Sequence, residues 1–388
     1  MGKWEMVRLG DVGKIITGNT PKTSDTQNYS SNDLSFFKPS DISENNIQSL
    51  SISENFVSNH ARSQCRLIPP NSVLVTCIGI IGKICITACE STCNQQINAV
   101  IPDKRICDPR FLAYAIFRVK PEMNHIANSA VVPIINKSQF SDIRISLPPL
   151  QAQQKIADIL DRANALIEKR KEQIAKLDLL VKSQFIEMFG DPVTNPKGWE
   201  VRPLGELGEL NRGVSKHRPR NDPKLLNGEY PLIQTGEVAS ANLYLTSHTA
   251  TYSEIGLKQS KMWPKNTLCI TIAANIAKTA ILGFDACFPD SIVGFISGEH
   301  SNQLFIHHWF SFFQEMLEEQ APQSAQKNIN LQILREVEVI VPPINLQDCF
   351  ADFVNETEIS KIKMQQGLAQ LEMLYKSLMQ KCFDGGIS

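Results

Sequence analysis

Two polar segments, residues 14–22 (KIITGNTPK) and 212–220 (RGVSKHRPR), contain side chains suited to contacting nucleic acid. Lysine, arginine and histidine can neutralise phosphates, whereas glycine, asparagine and threonine allow close approach and hydrogen bonds to base edges. A solvated surface loop explains the composition of both segments equally well. The candidate contact residues in them are Lys14, Thr17, Gly18, Asn19, Thr20, Lys22, Arg212, Lys216, His217, Arg218 and Arg220.

A second group of candidates also recurs in both halves of the sequence. Residues 37–42 (FKPSDI) and 233–238 (IQTGEV) each place a small polar turn after an apolar stretch, which fits a contact loop or an ordinary β-turn. Two lysines amid apolar residues fit a phosphate contact or a snorkelling surface side chain. The second group comprises Lys38, Ser40, Asp41, Lys83, Asn136, Lys137, Gln234, Thr235, Gly236, Lys278, Lys327 and Asn330.

The sequence has none of the common catalytic or metal-binding motifs. The patterns GxxxxGK[ST], GxGxxG, GxSxG and HExxH are absent. Cys85, Cys89 and Cys93 lie in an apolar stretch without the paired CxxC and histidine spacing of zinc sites. His307 and His308 lie within an apolar helical pattern that favours packing in a core over metal binding. We therefore expect no enzyme active site, no metal and no cofactor in this chain.

The composition is that of an ordinary globular protein with room for two or three domains. The chain has 388 residues, 42% of them hydrophobic, and a net charge of −1, so any basic surface must be local. No apolar run approaches a membrane span, and the first residues lack the apolar core of a signal peptide. We expect a cytoplasmic protein that does not contact the membrane and whose ten cysteines are reduced.

The sequence repeats itself at an offset near 195 residues, which predicts two similar domains. Apolar strand-like runs separated by Gly, Asn and Pro, followed by a helix that begins at Asp108-Pro109, predict a mixed α/β, or α+β, domain in each half. The repeated segments include WEMVRLGD at 4–11 and WEVRPLGE at 199–206, NSVLVT at 71–76 and NTLCIT at 266–271, and LPPL at 147–150 and VPPI at 341–344.

Two stretches of 39 residues, 151–189 and 345–383, each predict one long helix. Their seam residues recur in alternating steps of four and three, which is the spacing of a coiled coil. Arg170, Thr357 and Lys361 depart from an apolar seam, and Gly367 should cost roughly 1 kcal/mol relative to alanine. Because each helix needs a matching seam, we expect the two to pack antiparallel, with a globular domain near each end.

This arrangement resembles the specificity subunit of type I restriction-modification enzymes. The resemblance spans nearly the whole chain and rests on the twin tryptophan-containing starts, the LPPLxxQ and VPPIxxQ helix entries, the exit FIEMFGDP at 185–192, and their order. It implies two target-recognition domains, each recognising one half of a bipartite double-stranded DNA site, and two helices that set the spacing. It also implies two methyltransferase subunits and restriction subunits as partners, with S-adenosylmethionine, ATP and magnesium bound by those partners.

We expect domain 1 at residues 1–150, helix 1 at 151–190, domain 2 at 191–344 and helix 2 at 345–388. Two other classes of function fit the same pattern. One is a dumbbell-shaped adaptor that binds proteins and not DNA. The other is a fused enzyme subunit with an unrecognised active site.

Overall fold

The structure, a computed structural model, describes residues 4–127, 132–273, 276–319 and 330–384. The chain divides into two compact units. The first unit contains residues 1–171 and 366–388, and the second contains residues 172–365. Each unit therefore combines one α/β domain with half of each long helix.

The first unit contains a two-stranded ribbon, two sheets and four short helices before the first long helix. Its strands are β1 Glu5–Arg8, β2 Gly13–Thr17, β3 Leu34–Phe37, β4 Gln48–Leu50, β5 Phe56–Val57, β6 Val73–Thr76, β7 Ile84–Thr87, β8 Ser91–Cys93, β9 Ile97–Pro102 and β10 Arg144–Leu147. Its helices are α1 Leu9–Val12, α2 Pro109–Arg118, α3 Lys120–Ala127, α4 Lys137–Asp142 and the first part of α5 Leu150–Phe189.

The second unit repeats this order. Its strands are β11 Glu200–Pro203, β12 Gly208–Arg212, β13 Leu226–Leu232, β14 Tyr244–Leu245, β15 Ala250–Tyr252, β16 Met262–Trp263, β17 Leu268–Thr271, β18 Thr279–Leu282, β19 Ala286–Cys287, β20 Ile292–Ser297 and β21 Glu338–Val341. Its helices are α6 Thr235–Ser240, α7 Glu254–Lys258, α8 Gln303–Glu319, α9 Leu331–Glu336 and the first part of α10 Ile344–Phe383.

The main sheets of the two units have the same topology, which confirms the predicted repeat and the mixed α/β class. The strand orders are β2-β9-β6-β7-β4 and β12-β20-β17-β18-β14. In each sheet every neighbouring pair is antiparallel except the last, β4 with β7 and β14 with β18, which is parallel. The ribbons β1-β10 and β11-β21 also correspond. Strands β6 and β17 are buried along their whole length because their β-branched and apolar residues face packed layers on both sides.

Helix α2 begins as the sequence predicts. Asp108 lies at the N-cap, where its carboxylate accepts hydrogen bonds from the backbone N–H groups of Arg110 and Phe111 at 2.9 and 3.1 Å. Pro109 occupies the first turn, where a missing N–H leaves no hydrogen bond unmade. Six consecutive residues of this helix, from Phe111 to Ile116, are buried in the core of the first unit.

Within the first unit, the long helices pack antiparallel. Near the start of α5, Ile156 and Leu160 share a core with Met379 and Phe383 from the end of α10. About ten residues further along α5, the Nζ atom of Lys171 lies 3.9 Å from the Oε1 atom of Glu372. Glu372 comes before Met379 and Phe383 in α10. Contacts that advance along one helix while they retreat along the other define an antiparallel pair.

Within the second unit, the remaining halves of the helices pack in the same sense. The ring of Phe350, near the start of α10, lies 5.4 and 5.5 Å from those of Phe185 and Phe189 near the end of α5. Earlier in α5, Asp178 accepts a hydrogen bond from Lys361 at 2.5 Å. Lys361 is only 6% exposed, so the seam buries this lysine and pairs it with an exposed aspartate.

A buried glutamine in the first turn of each long helix explains the LPPLxxQ and VPPIxxQ motifs. Gln153 accepts a hydrogen bond from the N–H of Asp108 and donates to the carbonyls of Ile106 and Pro148 at 2.8–2.9 Å. Gln347 accepts one from Asn302 at 2.9 Å and donates to the carbonyls of His300 and Pro342 at 3.0 and 2.8 Å. Both side chains are fully buried, so each fixes the helix start to two other backbone segments.

The predicted seams are confirmed, since every seam position of α5 and α10 is buried or half-buried. Each helix begins one residue before its predicted start and ends at the predicted phenylalanine. The division into recognition domains and helices stays a prediction. Among the residues that the structure describes, no helix is both long and apolar enough to cross a bilayer.

Candidate nucleic-acid interface

The topology gathers most of the candidate residues of the first unit at one end of its main sheet. Strand β2 ends at Thr17 where β9 begins, because Thr17 pairs with Asn98. Strand β6 ends at the same edge, where Thr76 pairs with Ile97, and β7 begins there, just after Lys83. The loops at this edge therefore come from segments that are far apart in the sequence.

The second unit builds the same edge from the corresponding strands. Strand β12 ends at Arg212, β17 ends at Thr271, and β18 begins just after Lys278. The turns that precede β7 and β18 also correspond. The N–H of Lys83 donates to the Thr76 hydroxyl at 3.0 Å, and the N–H of Lys278 donates to the Thr271 hydroxyl at 3.1 Å.

A glycine begins the candidate loop in each unit because the chain there runs against a neighbouring backbone. A β-carbon on Gly18 would lie 2.2 Å from the carbonyl oxygen of Asn94, and one on Gly213 would lie 2.3 Å from that of Pro289. The N–H of Gly18 donates to the carbonyl of Ile97, the first residue of the neighbouring strand β9, at 2.9 Å. The N–H of Gly213 donates in the same way to the carbonyl of Ile292, the first residue of β20, at 2.8 Å. The frame is therefore the same in both units, and the two loops diverge after it.

In the first unit, polar side chains hold this loop in place. Asn19 donates to the carbonyl of Gln64 at 2.7 Å and accepts from the N–H of Arg66 at 2.9 Å. Thr17 donates to Asn98 at 2.7 Å, and Thr20 donates to Gln95 at 2.8 Å. The side chain of Asn19 is thus already used within the protein, whereas Thr20 and Lys22 are exposed.

The turn at residues 38–41 is tied to this edge by Lys83. The ammonium of Lys83 donates to the carbonyl of Pro39 at 3.0 Å. The carboxylate of Asp41 accepts from the N–H groups of Lys38 and Glu54 at 2.6 and 2.7 Å, so it shapes the turn. Lys38 donates from its ammonium to Asn55 at 2.6 Å. Ser40 is exposed at the tip.

Two of the remaining first-unit candidates lie near the same edge and one does not. Asn136 caps α4 by accepting from the N–H of Gln139 at 2.9 Å, and Lys137 begins that helix with an exposed side chain. The segment reaches the edge because the N–H of Ile135 donates to the carbonyl of Cys77 at 2.9 Å. Lys14 pairs with Ile101, three residues back along β2, about 10 Å from the edge.

In the second unit, Gln259 shapes the basic loop. Its amide oxygen accepts from the N–H groups of Lys216 and His217 at 2.7 and 3.0 Å. The ring of His217 lies 3.1 Å from Asp222. The pKa of Asp222 is lowered, mainly because the N–H of Lys224 donates to its carboxylate and also because His217 contacts it.

Three arginines of this loop converge on Asp290, in the turn before β20. Arg220 donates to its carboxylate, and an amino group of Arg218 lies 3.6 Å from the other carboxylate oxygen. Arg212 donates to the backbone carbonyl of Asp290 at 2.9 Å. The equivalent position in the first unit is the uncharged Gln95.

The segment 233–238 differs from the turn that its sequence favours. Gln234 instead caps α6, which begins at Thr235, because its N–H donates to Glu237 at 2.8 Å in a capping box. A β-carbon on Gly236 would meet nothing within 4 Å. Asn330 caps α9 by accepting from Ile333 at 2.9 Å, and Lys327 lies outside the described residues.

The structure buries seven of the ten cysteines and His307 of the histidine pair, whereas Cys65 and Cys89 are half-buried and Cys349 is exposed. Burial raises the pKa of Cys85 and raises that of Cys93 to about 12, and all ten cysteines are free thiols. Burial lowers the pKa of His307 to about 4 and that of His308 well below its usual value. Within the described ranges, no group of three or more histidine, cysteine, aspartate or glutamate side chains is arranged to hold a metal ion.

Sequence reasoning missed several residues that shape this edge. Gln64 and Gln259 recur at the repeat offset, which was a usable signal. Asp290 gave no such signal, since its partner position in the repeat is a glutamine and its arginines lie some seventy residues away. Arg66, which donates to the carbonyl of Thr17 at 2.8 Å, was also missed.

The same frame and edge occur twice, and the family comparison also finds two copies. Residues 1–177 and 196–373 each match the family described as the type I restriction modification DNA specificity domain. The chain belongs to this family. The two matches together cover nearly the whole sequence, so the repeated unit includes a DNA specificity domain and part of a long helix.

The curated relatives that the chain resembles are specificity subunits of type I restriction enzymes. The chain is 25% identical over 279 residues to the type I restriction enzyme MjaIX specificity subunit of Methanocaldococcus jannaschii, an alignment that covers 67% of this chain and 63% of the relative. It is 31% identical over 183 residues to the HindI specificity subunit of Haemophilus influenzae, covering 45% of this chain and 39% of the relative. The alignments thus cover less than two thirds of either relative.

A solved structure supports the fold. A chain from a study of complex assembly and conformational transition of the type I restriction-modification system superposes with a TM-score of 0.61. The superposition covers 98% of this chain and 97% of that chain at 18% sequence identity. At this identity the comparison establishes the fold alone.

Proposed function

We propose that this chain is the sequence-specific DNA-binding subunit of a type I restriction-modification complex. Each domain recognises one half of a bipartite double-stranded DNA site. The observation that carries the proposal is the repeated sheet edge, where Gly18 and Gly213 start loops in the same geometry that differ in their side chains. A conserved frame with different loops suits a target whose two halves differ in sequence.

The charge distribution supports contact with DNA at this edge. The net charge of the chain is −1, yet the loop at 212–220 alone carries three arginines, a lysine and a histidine. Phosphate neutralisation supplies much of the affinity of DNA-binding proteins, so the basic residues need to be concentrated where DNA lies. A chain with so little overall charge would share phosphate neutralisation with its partners.

In this proposal the long helices set the distance between the half-sites and bind two methyltransferase subunits, with restriction subunits completing the complex. The chain itself is non-catalytic and acts in the cytoplasm. Its partners bind S-adenosylmethionine for methylation and ATP with magnesium for translocation and cleavage. Helices α5 and α10 each have 40 residues, which at 1.5 Å per residue is about 60 Å of continuous helix.

DNA binding by the full chain, assembled with its methyltransferase partners, tests the proposal. We expect this assembly to bind duplex DNA that contains the site it methylates. The affinity should fall steeply as the salt concentration rises. Replacing residues 1–145 with the matching region of a relative should change one half-site only. An assembly that binds partners but shows neither DNA retention nor a salt dependence would establish the adaptor alternative. Methylation by the chain alone would establish the fused-enzyme alternative.

A further inference from the structure

The arginine cluster on Asp290 has a geometry that goes beyond charge neutralisation. The side chains of Arg218, Arg220 and Asp290 are 55%, 46% and 35% exposed, so the cluster lies at the surface while its members hold each other. Arg218 is fixed further, since it donates to the carbonyls of Ser215 and His217 at 2.6 and 2.8 Å. A guanidinium has five N–H donors, so both arginines retain unused donors beyond these contacts.

Among the described residues of the first unit, nothing corresponds to this cluster. Gln95 replaces Asp290 at the equivalent place, and its described partner is the hydroxyl of Thr20. The loop at 14–22 contains two lysines and no arginine. The two units therefore present different chemistry on the same frame: the second has two arginines on a carboxylate where the first has the amide of Gln95 and the hydroxyl of Thr20.

Arginine forks held by a carboxylate match one base edge in particular. In the major groove, guanine presents two acceptors, N7 and O6, which a guanidinium can contact with two parallel hydrogen bonds. A long side chain that is already fixed loses less conformational entropy when it binds. Asp290 offsets one of the two positive charges of Arg218 and Arg220, so it weakens their attraction for phosphate while leaving N–H donors for a base.

We propose that Asp290 is a positioning residue that holds Arg218 and Arg220 for recognition of guanine in the half-site bound by the second unit. This inference rests on the proposed function. It predicts that this half-site contains at least one guanine whose recognition depends on Asp290. It also predicts that substitutions at this cluster leave the half-site of the first unit unchanged.

The test measures base preference position by position with the full chain assembled with its methyltransferase partners. Duplexes randomised in both half-sites are selected by binding and sequenced. In Arg220→Lys, Arg218→Lys or Asp290→Asn, the preference for guanine at one or two positions should fall about 5- to 150-fold. Asp290→Glu should restore part of it. Asp285→Asn is the matched control, because Asp285 lies near the start of β19 and accepts from the N–H of Lys265 at 2.8 Å.

Each outcome has a defined meaning. If Arg218→Gln and Arg220→Gln, which remove the charge, weaken binding to all sequences alike and reduce the salt dependence, the arginines contact phosphate and the inference is wrong. Unchanged guanine preference in all three variants also overturns it, provided that they fold as judged by thermal unfolding. If the wild-type assembly does not bind duplex DNA, the proposed function fails instead, which separates the two.

Discussion

The guanidinium of Arg170 occupies the space beside Gly367, on the facing helix of the first unit. Its Nη1 atom lies 2.8 Å from the point where a β-carbon on Gly367 would project. From the sequence, each residue weakens its own seam, since one is charged and the other has poor helix propensity. In the structure they are complementary, because the missing side chain of one makes room for the long side chain of the other.

Gly367→Ala should stabilise the chain. The atom in its way is the far end of a flexible side chain, which can move, and alanine gains about 1 kcal/mol of helix propensity over glycine. The midpoint of urea unfolding should therefore move to a higher urea concentration, which corresponds to a gain of up to about 1 kcal/mol in the free energy of unfolding. The same substitution in an Arg170→Ala background is the control and should gain at least as much. Marked destabilisation in both backgrounds would mean that the backbone, and not Arg170, requires glycine.

Replacing either buried glutamine with leucine should destabilise its unit. Gln153→Leu and Gln347→Leu each remove the partner of one N–H and two carbonyl groups, of which one carbonyl is buried and the other two groups are part-buried. We expect a loss of about 2–4 kcal/mol in the free energy of unfolding. Gln154→Leu, at an exposed position of the same helix, is the matched control and should change little. Equal effects at positions 153 and 154 would contradict this role.

Acid should destabilise the second unit through His307. Its pKa is about 4 in the folded chain because of burial, against an ordinary value of 6.5. Between these values the unfolded chain binds a proton that the folded chain does not, so stability is complete above pH 6.5 and falls as the pH is lowered towards 4. From pH 7 to pH 5 the loss should be about 2 kcal/mol from this residue.

Unfolding measured across this pH range in His307→Gln checks the assignment. The variant should lose part of the pH dependence, because glutamine does not titrate. His308, which has a pKa lowered in the same direction, should contribute with the same sign. His248→Gln, at an exposed position, serves as the control and should leave the slope as in the wild type. An unaltered slope in His307→Gln would refute the prediction.

Lengthening both helices should lengthen the spacer between the half-sites. Four residues inserted after Glu168 and four after its repeat counterpart Ile362 add about one turn to each helix and nearly keep the seam register. The added length is about 6 Å, or close to two base pairs of DNA at 3.4 Å each. Methylation mapping should find the same half-sites with a gap two base pairs longer, within one base pair either way. An active variant with an unchanged gap would show that the helices serve only to bind partners.

The sequence was most informative where structure follows from local spacing. The seams of α5 and α10 lie where the periodicity predicts them, and α2 begins at the cap that Asp108-Pro109 predicts. The helix at 235–240 was missed because Gly236, in its first turn, is a residue type that favours turns. The cluster at Asp290 could not be predicted, since it forms only when the sheet brings distant segments to one edge.

The buried glutamines also have a mechanical consequence. Gln153 joins the first turn of α5 to the residues before α2 and to the Pro-Pro entry, so the joint between helix and domain contains no free hinge. If this part of the helix rotated, the sheet of the first unit would rotate with it, because the hydrogen bonds of Gln153 hold the junction together. If DNA binds as proposed, strain at the loops would pass back along the same connection to the helix.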